Sequence, residues 1–261
     1  MTDKILTEQT GEIARVIFNQ PEKRNAVSLE MWEAVEAAVT RFAADDSVRI
    51  LILSGAGGKA FVSGADVSKF ETERASADAV AHYNAAVKRV YDLIEAFPKP
   101  TIAQIDGFCI GGGVALSLSC DLRICGAGSQ FAVPAAKRGL GFGFDGITRL
   151  VKVVGPAFAM EIFFTARRFD AEEARIMGLV NRVVPDDKVG DVAFETAEMI
   201  AANAPMTVGS VKFIVGQTVL DESARDLDEC AARVKACFDS ADYIEGRRAF
   251  LEKRKANFVG A

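Results

Sequence analysis

The sequence predicts an α/β fold, a parallel sheet with helical crossovers followed by a mostly helical tail. Three observations carry this. Ile50-Leu51-Ile52-Leu53 is a continuous apolar run, the mark of a strand buried on both faces. Thr101-Ile102-Ala103-Gln104-Ile105 is a second buried strand, with a helical pattern between the two, and strand, helix, strand at this spacing implies parallel pairing through a crossover. From Pro156 onward helical periodicity dominates.

In chain order, Gly11 to Phe18 reads as a strand through Ile13, Val16, Ile17 and Phe18, ending in the turn Asn19-Gln20-Pro21-Glu22. Ser28 is positioned to cap a helix to about Ala44, with Met31, Val35, Ala38 and Phe42 on one face. After the strand at Ile50 comes a loop from Ser54 to Ser68, rich in Gly, Ser and Ala. The crossover helix carries Val80, Tyr83, Val87, Val90 and Ile94 at steps of three and four, and Pro98 and Pro100 end it. Beyond Pro156 the segments Phe158–Thr165, Ala171–Met177, Asp187–Asn203 and Asp221–Cys237 pattern as helices, with a short strand Asn181–Val184 among them. Such a tail has too few strands for a sheet of its own and reads as a helical layer on the core or on another subunit.

Composition narrows the function. Of 261 residues half are hydrophobic and 26% charged, which excludes disorder, and the 22 glycines show no collagen period. With 31 basic and 36 acidic residues the net charge is −5, against a general nucleic-acid binder. The uncharged stretch Gly107 to Cys120 is 14 residues, short of the ~18 that a membrane span needs. The first residues show no signal pattern, so a soluble, cytoplasmic chain is expected. Five cysteines without a Cys-x-x-Cys pair read as reduced thiols. With His82 the only histidine, no metal site is expected. No Gly-x-Ser-x-Gly elbow is present, and Gly57-Gly58-Lys59 lacks the Ser or Thr of a phosphate loop.

Two glycine-rich turns follow buried strands: Ala60-Phe61-Val62-Ser63-Gly64-Ala65-Asp66-Val67 and Ile105-Asp106-Gly107-Phe108-Cys109-Ile110-Gly111-Gly112-Gly113-Val114-Ala115-Leu116. A helix starting within the second would present free N–H groups and the positive end of its dipole. Three adjacent glycines cost about 1 kcal/mol each in a helix relative to alanine, which favours an anion or oxyanion site over packing alone. A tight turn is the alternative. The basic run Arg247 to Lys255 reads either as a solvated helix face or as an anion-binding edge.

These turns, together with Asn19–Ala26, Gly107–Asp121, Gly139–Leu150, Gly178–Pro185 and Glu245–Phe258, resemble the crotonase superfamily, the enoyl-CoA hydratase/isomerase family, along nearly the whole chain. The resemblance implies a spiral of strand-strand-helix units over residues 1–200 and a helical oligomerisation region over 201–261, assembled as homotrimers or homohexamers. It implies an acyl-CoA thioester as partner, with neither nucleic acid nor membrane, and no separate cofactor, since coenzyme A enters with the substrate. It places an oxyanion hole on the N–H groups of Ala65 and Gly112. CoA contacts fall on Lys23, Arg24 and Ala26, on Ser63, Ala65, Asp66 and Val67, and on Lys253, often from a neighbouring subunit. Without it, Lys23 and Lys253 would read as ordinary surface lysines.

Where the family's hydratases carry two glutamates, this chain has Ala115 and Ala135, and a methyl group moves no proton. Asp145 is the candidate replacement, with Phe142 and Phe144 as apolar walls that would raise its pKa; its other reading is a helix cap. Tyr83 reads as core and His82 as exposed, each with a weaker catalytic alternative. The expected function is an acyl-CoA enzyme that stabilises a thioester enolate. A decarboxylase, an isomerase or a thioester hydrolase is compatible, and the rival is a silent acyl-CoA-binding or scaffold protein.

Overall fold

The computed structural model describes residues 2–73 and 75–261. Its elements are β1 (Ile5–Thr10), β2 (Ile13–Phe18), α1 (Leu29–Ala44), β3 (Ile50–Gly55), β4 (Ala60–Val62), α2 (Phe70–Glu73), α3 (Ala77–Glu95), β5 (Thr101–Ile105), β6 (Phe108–Ile110) and α4 (Gly112–Leu118). They continue with β7 (Leu122–Gly126), β8 (Gln130–Ala132), α5 (Phe144–Thr165), β9 (Phe169–Asp170), α6 (Ala171–Ile176), β10 (Arg182–Val184), α7 (Val189–Ala201), α8 (Pro205–Thr218), α9 (Leu227–Asp239) and α10 (Ala241–Glu252).

One sheet runs β1-β2-β3-β5-β7-β10, a second β4-β6-β8-β9. Among the described residues only the pairs β1–β2 and β8–β9 are antiparallel. Each unit, β3-β4-α3, β5-β6-α4 and β7-β8-α5, gives one strand to each sheet and then a helix, so the chain climbs in a strand-strand-helix spiral. This is the crotonase-type α/β fold that the resemblance implies.

The apolar run of β3 is explained by its two faces. Leu51 and Leu53 enter the main core with α1 and α3, while Ile50 and Ile52 meet Ala193 and Ala197 of α7 on the other side. The tail helix α7 therefore covers the first sheet. α5 is kinked just before Pro156, where Gly155 adopts φ 75° and ψ 167°.

Two expectations are corrected. The segment from Ser54 to Ser68 is not all loop, because β4 lies within it. Ser28 occupies the N-cap position of α1, but its buried hydroxyl does not cap the helix; the Leu29 N–H donates instead to Glu73 Oε1 at 3.1 Å. Among the described residues no single helix is long and apolar enough to cross a membrane.

Candidate active site

Three strands of the second sheet run parallel, so their C-terminal ends reach the same edge. β4 delivers the turn 63–66, β6 the glycines 111–113, and β8 Val133 to Ala135. Such an edge is where parallel sheets place ligands. The first two turns touch: a Cβ added to Gly112 would stand 3.8 Å from Gly64 Cα, and one added to Gly64 would stand 3.8 Å from Gly112 N. Ala65 and Gly112 are thus brought together.

Both carry N–H groups that the local ladder does not use. Val27 N–H donates to Gly64 O at 2.8 Å and Asp66 N–H to Val27 O at 3.0 Å, a parallel bridge between Val27 and Ala65. In that pattern the residue opposite the bridge points its own N–H to the other side. Gly112 opens α4, where a helix leaves its N–H groups without internal acceptors.

The turn before α4 is held at several points. Gly111, at φ 57° and ψ −111°, takes a conformation suited to glycine and donates to Ala132 O at 2.8 Å. Gly113 lies flat on β4: a Cβ there would come 2.0 Å from Val62 O. At the far end of α4 the buried Arg123 donates to Ser117 O at 3.3 Å and to Cys120 O at 2.7 Å, and ties that end of the helix to the turn after α6 through Leu179 O at 2.7 Å.

Lys23, Ser63 and Asp66 assemble beside the first turn. Lys23 Nζ donates to Asp66 Oδ2 at 2.8 Å and to Ser68 Oγ at 2.9 Å, and Ser63 N–H donates to Arg24 O at 3.2 Å. Ala26 is buried here, while Val67 is exposed. Burial alone would raise the Asp66 carboxyl, but hydrogen bonds from Lys23 and Ser68 outweigh it and hold the carboxyl down at about 2. A depressed carboxyl stabilises the fold above its unfolded value of ~3.9, and that contribution disappears as pH falls through about 2. In Lys23→Met, burial acts with one opposing partner fewer, so the loss is expected at higher pH. Melting temperatures of the two chains between pH 2 and pH 6 check this.

Arg24 does not join this group through its side chain. Its guanidinium lies over the Phe108 ring, 4.7 Å from the centroid, in a cavity of about 310 Å³ shared with Lys59, Asp106 and Asp186 at the N-terminal end of β6. Lys253 is the left-handed residue that ends α10, a helix packed on α9. The tail beyond it is anchored at the start of β3, where Arg49 donates to Phe258 O at 2.6 Å.

Asp145 finds neither expected setting. Gly143, not Asp145, is the N-cap of α5, so the cap reading is corrected. The apolar enclosure is missing too: Phe144 is 82% exposed, and Phe142 turns to Phe163, with ring centroids 4.9 Å apart. Asp145, its side chain 61% exposed, pairs with Lys88 at 3.5 Å. Ala115 packs against the core and Ala135 is buried. His82 is exposed near Glu33, and Tyr83 is core, as the helical stripe predicts.

Two residues were missed. Asn25 is buried; its side chain accepts from Gln20 N–H at 2.9 Å and donates to Ala60 O at 2.7 Å, stapling the 20–26 turn to β4. Tyr91 donates its hydroxyl to Gly112 O at 3.1 Å. Asn25 lies in a segment that the resemblance had already marked; Tyr91 has no sequence signal beyond the apolar stripe.

The profile described as enoyl-CoA hydratase/isomerase matches residues 8–261. A crotonyl-CoA hydratase of Syntrophomonas wolfei is 34% identical over 257 residues, 98% of each chain. A short-chain-enoyl-CoA hydratase of Clostridium acetobutylicum is 32% identical over 253 residues, 97% of this chain and 96% of its own. Among solved structures, an enoyl-CoA hydratase/carnithine racemase from Magnetospirillum magneticum superposes with a TM-score of 0.92 at 37% identity, covering 100% of this chain and 97% of the other.

Proposed function

The chain belongs to the enoyl-CoA hydratase/isomerase family, and from that premise we propose that it processes an acyl-CoA thioester whose carbonyl oxygen is held by the N–H groups of Ala65 and Gly112. The observation that carries this reading is the meeting of the two glycine turns at one sheet edge, each with an N–H outside the ladder. Donors aimed at that oxygen stabilise the negative charge it gains when an enolate forms, and one such donor typically contributes about 3–4 kcal/mol. Ser63, Ala26 and the Lys23–Asp66 pair border the hole and are the proposed CoA-side contacts, with Lys253 supplied by a neighbouring subunit.

Ordinary hydration does not fit Ala115 and Ala135, since neither methyl can activate water or deliver a proton. Decarboxylation of a 2-carboxyacyl-CoA suits the site better. Carbon dioxide leaves, the bond's electron pair moves onto the thioester oxygen, and the enolate's α-carbon then takes a proton from water, so no strong protein base is required. Isomerisation or thioester hydrolysis would need a proton-transfer group such as Asp145. The two alanines also favour the second reading, a silent acyl-CoA-binding protein.

The test is turnover of a thioester panel: crotonyl-CoA, a β,γ-enoyl-CoA, a saturated acyl-CoA and a 2-carboxyacyl-CoA, with binding followed by calorimetry against free CoA and the free acids. Carboxyacyl-CoA turnover with slow crotonyl-CoA hydration is expected; binding without turnover of any thioester selects the silent reading. In the same panel Asp145→Asn is expected to keep turnover and to change stability by less than about 1 kcal/mol, as for an exposed ion pair. Loss of turnover with binding retained would return the base to Asp145.

We also propose self-association as a trimer or hexamer. Phe164, Val215 and Val219 are exposed, whereas Phe163 and Ile214 are half-buried, and α10 adds Phe250 and Leu251 to the apolar surface. Apolar area on that scale is rare on a monomer. Light scattering at low micromolar concentration is expected to report a multiple of 28.0 kDa, and a particle of 28.0 kDa alone would refute it.

A further inference from the structure

Behind the two turns lies a buried aromatic cluster for which the proposed chemistry has no use. Tyr83 and Tyr91 share the inner face of α3, and Trp32 of α1 joins them. Trp32 Nε1 donates to the Tyr83 hydroxyl at 3.1 Å, and its ring meets Tyr91 edge-on with centroids 5.5 Å apart. Each tyrosine then reaches one half of the proposed hole. The Tyr83 hydroxyl donates to Val27 O at 3.4 Å, and Val27 is the bridge partner of Ala65. The Tyr91 hydroxyl donates to Gly112 O at 3.1 Å and would stand 3.3 Å from a Cβ at Gly112.

The glycine turn needs such support. Three consecutive residues without side chains have the widest backbone freedom in the chain, and none can anchor itself by packing a side chain. The bond from Gly111 N–H to Ala132 O and the seat of Gly113 on Val62 fix the turn's two ends. The peptide between them is held by the Tyr91 hydroxyl. Burial pushes Tyr91 ionisation above the ordinary phenol range, so its O–H remains a donor and is no base. The Arg149 guanidinium lies over the Tyr91 ring, 5.6 Å from its centroid.

We propose that Trp32, Tyr83 and Tyr91 form a positioning plate that aims the Ala65 and Gly112 N–H groups, with the Tyr91–Gly112 hydrogen bond as its decisive contact. The inference rests on the reading of those two N–H groups as thioester-oxygen donors. Tyr91 acts through Gly112, so removing its hydroxyl should change the rate and leave the CoA grip intact.

Tyr91→Phe keeps the ring and its packing. It is expected to lower kcat about tenfold while KM and the affinity for free CoA stay within about twofold, as a small misplacement of a transition-state contact would do. Tyr83→Phe is expected to lower kcat about threefold, its contact being longer and one residue further from the donor. Ser129→Ala removes a comparable buried hydroxyl, which donates to Ile105 O at 3.1 Å, and is expected to leave kcat unchanged. Equal kcat in Tyr91→Phe and the unaltered chain, or an equal fall in Ser129→Ala, overturns the proposal. Amide exchange separates this from the functional reading. The hydrogen-bonded Gly111 and Ala115 amides should exchange at least about tenfold faster in Tyr91→Phe, whether or not any thioester is turned over. Faster exchange in a chain inactive on every thioester sinks the functional reading and keeps the plate. Unchanged exchange sinks the plate.

Discussion

Crotonyl-CoA hydration by the Ala115→Glu/Ala135→Glu variant is expected to exceed that of the unaltered chain by about 10²–10⁴-fold, the range that positioned general acids and bases contribute. The expectation comes from where the two methyls lie. Ala115 N–H donates to Gly111 O within the first turn of α4, so its Cβ is one turn from the Gly112 donor. Ala135 follows β8 by three residues, and β8 pairs with β6 so that Ala132 faces Ile110, the residue before the glycines. Both positions therefore belong to the sheet edge that holds the proposed hole. Hydration needs water activated toward the β-carbon and a proton delivered to the α-carbon, so either single variant should gain far less than the pair. Ala135 is buried, and a glutamate there must turn toward the site to avoid an unpaired charge in the core. Free-CoA binding should be unchanged in all three variants. Efficient hydration by the unaltered chain would overturn the argument from the two alanines.

The same edge shows what could be read in advance. β3 and β5 were legible because both faces of each are covered, which writes a continuous apolar run into the sequence. β4, β6 and β8 were not, because each is three residues long and sits among glycines and polar residues, too short for periodicity to register. Yet these strands aim the site. The two turns could be found from their glycines, since close backbone approach leaves a compositional mark.

Long-range partners leave none. Nothing in Ser28-Leu29-Glu30 says that Glu73, 44 residues on, accepts from the first turn of α1. Tyr91 was invisible for a related reason. A tyrosine on an apolar stripe counts as core whatever its hydroxyl meets, and only the packing of α3 behind the glycine turn supplies Gly112 O as its acceptor. Asn25 was marked only by resemblance; that its amide joins the 20–26 turn to Ala60 is a tertiary fact.

Gly113→Ala is expected to damage both the fold and the site with one methyl group. The added Cβ would stand 2.0 Å from Val62 O, 2.9 Å from Val62 C and 3.1 Å from Val62 Cβ, and two of those three obstacles are backbone. No rotamer relieves that contact, so α4 must move off β4 by about 1 Å or more to reach ordinary van der Waals separation. Overpacking of this kind costs about 1–3 kcal/mol. Moving α4 also moves Gly112, and a misplacement near 1 Å can cost about 10²-fold in rate. Thermal unfolding of Gly113→Ala should therefore fall below that of the unaltered chain, and turnover should be lost with it. If Gly113→Ala melts with the unaltered chain and turns over equally fast, α4 is not seated on β4 by a bare glycine, and the proposed Ala65–Gly112 hole loses one of the contacts that would hold it.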